Sequence, residues 1–196
     1  MLTEREILST LEMLENEQLD LRTVTLGINL LDCASHDLKR FQDNVLSQIN
    51  DLAGGLVRTC DRVGNKYVIP VVNKRISVSP IAVAAAPFSS SQMIDIAHTL
   101  NRAAQDVNVD FIGGFSALVE KGIAKGDRAL IDAIPEALAG TDRVCASINV
   151  ASTRAGINMD AVYLMGQKIK RAASLTARRD GIACAKLCVF ANIPQD

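Results

Sequence analysis

Apolar positions along the 196-residue chain switch repeatedly between a helical spacing and strict alternation. Thr3 and Glu6 stand at the spacing of a capping box, and Ile7, Leu8, Leu11 and Leu14 follow on one helical face. Residues 21–31 alternate: Val24, Leu26, Ile28 and Leu30 point one way, Thr23, Thr25, Gly27 and Asn29 the other, which predicts a first strand. Ser35 or Asp37 opens the next helix, striped by Leu38, Phe41, Val45, Ile49, Leu52 and Leu56. The Gly54-Gly55 pair weakens its far end and allows a bend or break. A second strand is predicted over 68–78. A third helix opens after Pro87 at Ser89–Ser91 and turns Ile94, Ala97, Leu100, Ala104 and Val107 inward. The third strand covers 109–117, and a helix near Asp127 contains Pro135, which should kink or restart it. A fourth strand over 143–151 leads to a last helix that buries Met159, Val162, Gly166, Ile169 and Ala173, and a fifth strand covers 183–191.

Strand and helix therefore alternate five times, with no Asn-Gly type hairpin signal between strands. Connections of this length demand a parallel sheet with right-handed crossovers. Nothing in 1–196 reads as a linker, so one α/β domain is expected. The strands are not continuous aliphatic runs, as strands buried on both faces usually are. Asn73, Arg75, Ser77 and Ser79 share one face of the second strand; Cys145, Ser147 and Asn149 share one face of the fourth. Lys186, Cys188 and Asn192 do so on the fifth, and Thr23, Thr25 and Asn29 on the first. One aliphatic face and one polar face imply helices on a single side, as in a barrel. A small barrel fills its interior with branched apolar side chains, so this interior is expected to be wider and to hold a loop, water or ligand.

Composition narrows the classes of function. A formal net charge of -1 gives no basic field for nucleic acid or an anionic membrane. No apolar run reaches the ~20 residues that span a bilayer, and the acidic, amphipathic start does not read as a signal peptide. The cytoplasm is the expected location. Five cysteines, odd in number and without a CxxC pair, argue against a disulfide framework or structural zinc and for buried thiols in a reducing compartment.

Motifs are few. There is no GxGxxG and no GxxxxGK[ST], and Gly114-Phe-Ser-Ala-Leu lacks the second glycine of a nucleophile elbow, so Ser116 is not marked as a nucleophile. His36 and His98 have no second ligand at metal spacing, and Cys184 and Cys188, four apart on a predicted strand, sit ~13 Å from each other. No metal is expected and no cofactor is named. Cys145 shares a face with Ser147 and Asn149 but has no histidine in register to activate it. Asp32 closes the first strand, where α/β proteins place site residues, or caps the next helix. Asn73-Lys74-Arg75 is either an anion contact or surface charge. The Gly113-Gly114 pair lets a group approach the backbone closely, and the run 147–158 offers amides and hydroxyls at a helix start. Candidate ligand contacts are thus Asp32, Asn73, Arg75, Gly113, Gly114, Ser147, Asn149, Ser152 and Asn158.

The blocks LLDC (30–33), PVVNKRISVSPI (70–81), DFIGGFSALVEKG (110–122), SINVASTRAGINM (147–159) and KLCVFAN (186–192) resemble the uncharacterised "PFL family". That resemblance implies the barrel of pyruvate formate-lyase: ten strands in two five-stranded parallel halves, of which this chain matches the N-terminal one. It implies homodimerisation, or pairing with a second half-barrel, and no assigned reaction. Family members are about twice as long. The C-terminal glycine loop and finger-loop cysteine of glycyl radical enzymes are not identifiable here, so radical chemistry is not implied. The expectation is a half-barrel that binds a small polar or anionic ligand, or a regulatory or structural half-barrel subunit without chemistry.

Overall fold

The computed structural model describes residues 3–15 and 23–194, apart from the side chains of Thr10 and Leu14. Leu21 and Arg22, the start of the predicted first strand, and the side chain of Leu14 lie outside the described residues.

Helix α1 (Glu4–Glu15) opens on the expected box: the Thr3 N–H donates to Glu6 at 2.8 Å and the Glu6 N–H to the Thr3 hydroxyl at 3.3 Å. Strand β1 (Thr23–Ile28) ends three residues before the predicted boundary, in a short 3₁₀ turn over Leu31–Cys33. Asp37, not Ser35 or Asp32, caps α2 (Leu38–Ala53) by accepting from the Arg40 N–H at 2.7 Å. The two glycines do break the helix, and α3 (Leu56–Tyr67) is a separate element carrying Leu56. Because α3 continues to Tyr67, β2 (Asn73–Val78) begins five residues later than the alternation predicts. A short α4 (Ile81–Ala84) follows, then α5 (Ser90–Asp106), opened by a Ser89–Gln92 capping box, and β3 (Phe111–Leu118). Helix α6 (Lys125–Gly140) runs through Pro135 without interruption.

Strand β4 (Val144–Asn149) leads into a feature that the sequence reading lacked. Residues Ala151–Ser152 (β5) and Gly156–Ile157 (β6) form a small antiparallel hairpin before α7 (Met159–Leu175). Helix α8 (Ile182–Ala185) takes the first half of the predicted fifth strand, leaving β7 (Leu187–Phe190). Cys184 and Cys188 are therefore on different elements.

β1, β2, β3, β4 and β7 form one parallel sheet in sequence order. A doubly wound sheet reverses its strand order at a switch point; this one never reverses. With right-handed crossovers, every connecting helix then falls on the same face. Burial agrees. Ile28, Ile76, Val78, Ile112, Phe115, Ala117, Val144, Ala146 and Ile148 are buried toward the helices. Thr25, Gly27, Arg75, Ser77, Leu118, Cys188 and Phe190 are exposed on the other face. The helices form one layer, α2 packed on α5, α5 on α6 and α6 on α7.

The inward face of α7 corrects the sequence reading. Ala161, Leu164, Met165 and Ala172 are buried, whereas Met159, Val162, Gly166, Ile169 and Ala173, predicted as the buried stripe, are exposed. The helix carries two apolar stripes, and spacing alone cannot say which one the sheet covers. A second correction concerns Lys186, predicted on the polar face of the last strand. It precedes β7, is only 7% exposed, and its ammonium donates to the Leu138 carbonyl at 2.8 Å and to that of Thr141 at the end of α6.

Candidate functional site

The open face is shaped by an irregularity in β3. Ile112 pairs with Val144 and Phe115 with Ala146, so three steps on β3 match two on β4. This bulge keeps both Ile112 and Phe115 in the core, although strict alternation would put them on opposite faces. Gly113 and Gly114 absorb the extra residue. Gly114 has φ +109°, and a Cβ there would lie 2.4 Å from Val78 Cγ2 and 2.5 Å from the Val78 carbonyl oxygen.

Beside the bulge lies a shallow depression of about 250 Å³, lined in part by Gly113, Gly114, Cys145, Ser147 and Cys188. Three sequence candidates, Gly113, Gly114 and Ser147, thus come together. Arg75 sits one strand further along, paired with Phe111, its guanidinium 5.3 Å from that ring's centroid. It still acts on the depression. Burial pushes the Cys145 thiol above its usual range, while the Lys186 and Arg75 cations pull it back. Asn73 is at the N-terminal end of β2, about 16 Å along the strand from its other end, and joins neither group.

Asp32, Asn149, Ser152 and Asn158 lie at or beyond the C-terminal ends of the strands. Asn149, only 4% exposed, donates to Glu120 at 3.1 Å and accepts from the Ala151 N–H. Ser152 is buried and accepts from the Ala155 N–H at 3.1 Å, closing the hairpin turn. Asn158 caps α7 through the Ala161 N–H and donates to the Val119 carbonyl at 2.7 Å. These three side chains shape the rim by hydrogen bonds inside the protein. Asp32 is exposed on its 3₁₀ turn. The sequence reading did not put Asn29 and Ser79 together as a rim pair. The Ser79 hydroxyl donates to Asn29 at 2.9 Å and accepts from the Leu30 N–H, tying the ends of β1 and β2. Two polar residues at the ends of adjacent predicted strands were the available signal. Exposed Leu31, Val83, Leu118, Ile157 and Phe190 stand along the same edge, so a polar floor has an apolar rim.

Among the described residues no three His, Cys, Asp or Glu side chains converge as metal ligands, and no helix is long and apolar enough to cross a membrane. The thiols give a direct check on the geometry. Cys188 is exposed, Cys145 is half-buried with a raised pKa, and Cys33 and Cys60 are buried. Iodoacetamide at pH 8 should modify Cys188 at least about tenfold faster than Cys145, since the thiolate is the reacting form. Mass spectrometry of partly labelled protein reads this. Equal rates would mean a thiolate at Cys145 that its surroundings do not support.

Fold and face together define a singly wound parallel α/β protein in which, among the described residues, one sheet face is free of helices. The chain belongs to the family described as "Uncharacterised ACR (DUF711)", whose model matches residues 12–196. It is 68% identical over 196 residues, all of its length, to a "UPF0210 protein" of Syntrophobacter fumaroxidans, covering 43% of that protein. It is 66% identical over 196 residues to one of Desulfovibrio desulfuricans, 42% of that protein, and 55% identical over 192 residues to one of Methanosarcina mazei, again 42%. The chain thus spans less than half the length of these curated relatives.

Proposed function

We propose that residues 1–196 form a single domain that is one half of a pyruvate formate-lyase-like barrel, and that the open sheet face binds a small polar or anionic ligand. The observation that carries this reading is the helix-free face itself. It holds Arg75, Ser77, Cys145 and Ser147 around the Gly113–Gly114 bulge, inside an apolar rim. Ligand pockets are typically mostly apolar, with a few convergent polar groups that fix orientation. A face of this kind supplies one wall. The other wall comes from the remainder of a longer polypeptide, or from a second copy in a homodimer, in the cytoplasm.

Binding is favoured over covalent chemistry because burial keeps the Cys145 thiol protonated. That supports a ligand-responsive or regulatory barrel without radical chemistry. The test is a thermal-shift screen against anionic metabolites, with sugar phosphates and dicarboxylates as probes. A hit should raise the unfolding midpoint of the wild-type chain, and Arg75→Ala should cut its affinity by about tenfold or more, the loss of one charge-assisted hydrogen bond. Hits that bind Arg75→Ala and Ser147→Ala as tightly as wild type would remove the open face from consideration.

A further inference from the structure

Two thiols share the open face. Cys145 and Ser147 meet it from β4 and Cys188 from β7, each with part of its surface exposed. In the parallel register Ser147 pairs with Cys188, so Cys145 lies one two-residue step diagonally from Cys188. A strand spacing of ~4.8 Å and a two-residue rise of ~6.6 Å put the two Cα atoms ~8 Å apart. That is beyond the ~7 Å at which a disulfide closes. Both cysteines line the depression of about 250 Å³. Opposite Cys145, on β3, the register places only the bulge residues Gly113 and Gly114, so no side chain covers the thiol from that strand.

A gap too wide for a disulfide suits a bridging ion. Each Sγ turns about one χ1 bond, and diagonal neighbours on a sheet face are within side-chain reach. Two metal–thiolate bonds of about 2.3 Å set end to end span about 4.6 Å, which closes the gap with the strands where they are. Among the described residues no third His, Cys, Asp or Glu side chain joins the pair. That removes zinc, whose structural sites take four ligands. A soft monovalent ion, copper(I), prefers thiolates and is satisfied by two in line. Copper(I) displaces one proton from each thiol, and two thiolates on one Cu⁺ leave a single negative charge. Arg75 is the compensating cation: with Lys186 it already draws the Cys145 pKa down against burial. The remaining thiols are elsewhere. Cys33 and Cys60 are buried in other elements, and Cys184 on α8 donates to the Ile169 carbonyl.

We propose that Cys145 and Cys188 form a two-coordinate site for copper(I), with Ser147 and Arg75 as its polar neighbours. The site needs only the register of β4 and β7, whatever else the open face binds. It therefore stands independently of the anionic ligand proposed above.

The test is an anaerobic titration of the chain with copper(I) against bicinchoninate, a chromophoric copper(I) chelator. One Cu⁺ per chain should be withdrawn from the chelator. Cys145→Ser and Cys188→Ser should each weaken binding at least about a hundredfold, the loss of one of two linked contacts. Cys184→Ser, outside the site, should leave it within about twofold. Arg75→Ala, which removes a neighbour and not a ligand, should weaken it by about tenfold. X-ray absorption should show two sulfur neighbours at the copper. Bound copper should protect Cys145 and Cys188 from iodoacetamide and leave Cys184 as reactive as before. If Cys145→Ser does not fold, Cys188→Ser carries the test, since Cys188 is exposed. No copper taken from the chelator, undiminished uptake by Cys188→Ser, or a third sulfur at the metal would overturn the proposal. Copper held without any anion hit leaves the dithiol site standing and sinks the anion reading. An anion hit without copper does the reverse.

Discussion

Gly114→Ala is expected to destabilise the chain by about 3–5 kcal/mol, combining backbone strain and overpacking. The reason is local and geometric. At φ +109° an L side chain is strained whatever space surrounds it, and here there is none: Val78 supplies a methyl at 2.4 Å and its carbonyl oxygen at 2.5 Å. Neither contact can be relieved cheaply. The carbonyl is main chain of the neighbouring strand, and the methyl belongs to a buried valine. Gly113, one residue earlier in the same bulge, is the internal control. A Cβ there meets only the Ile76 carbonyl oxygen at 3.9 Å, an ordinary contact. Gly113→Ala should therefore cost less than about 1 kcal/mol, the usual range for a surface substitution. Adding Val78→Ala to Gly114→Ala removes the methyl clash but not the carbonyl one, so only part of the loss should return. Urea unfolding followed by circular dichroism reads all three variants. If Gly113→Ala and Gly114→Ala shifted the midpoint equally, the bulge would not have the backbone described here.

That bulge also shows why the sequence revealed the fold better than its details. The alternation of strands and helices, the parallel sheet and its one polar face all follow from periodicity, which core packing enforces over many residues. Each strand needs only its apolar positions in register, and β1, β2 and β4 keep them. Boundaries are another matter. Val68, Ile69, Val71 and Val72 look like strand because they are branched and apolar, yet α3 continues to Tyr67 and Val68 closes it in a left-handed conformation. Residues 183–185 read as strand by composition, but Asp180 and Gly181, both left-handed, introduce a helical turn. The inward face of α7 was misread for a different reason. Both of its flanks are apolar, and only the position of α6 decides between them.

The candidate site was legible as a face and not as a set of residues. Gly113, Gly114 and Ser147 converge because the bulge brings both glycines to the depression that Ser147 lines, which alternation does not predict. Asn149, Ser152 and Asn158 stand in the sequence as polar residues ahead of a helix, and they are spoken for by Glu120, Ala155, Val119 and Ala161. Polar side chains at a strand-to-helix turn satisfy backbone groups before they meet any ligand. The partners of these three lie in other loops, within the hairpin or in the first turn of α7, and periodicity carries no information about hairpins of two-residue strands.

Lys186→Met is expected to cost about 2–4 kcal/mol at neutral pH, because it leaves buried carbonyls at a helix end without a donor. The last turn of α6 is satisfied one group at a time. Ala137 accepts from the Thr141 hydroxyl, Leu138 from Lys186, and Ala139 from Arg179. The Lys186 ammonium also holds the Thr141 carbonyl, so its loss orphans two acceptors. A cation at a helix C-terminus is favoured by the dipole, but burial opposes it here and lowers the Lys186 pKa from its ordinary 10.5. Cys145 and Asp142 pull the value back up, and Arg179 pushes it down again. The direction fixes the pH dependence. An unfolded chain holds this proton more tightly than the folded one, so the charge on Lys186 carries a stability cost at neutral pH. That cost is relieved as pH rises from the folded value towards 10.5. The stability gap between wild type and Lys186→Met should widen from pH 7 to pH 10, with both proteins carrying Cys145→Ser because the Lys186 cation itself lowers the Cys145 pKa. Urea midpoints of the two proteins across that range measure it. A gap that narrowed with rising pH would mean that the folded protein holds the Lys186 proton more tightly than the unfolded chain, and that the end of α6 is a favourable site for the charge rather than a costly one.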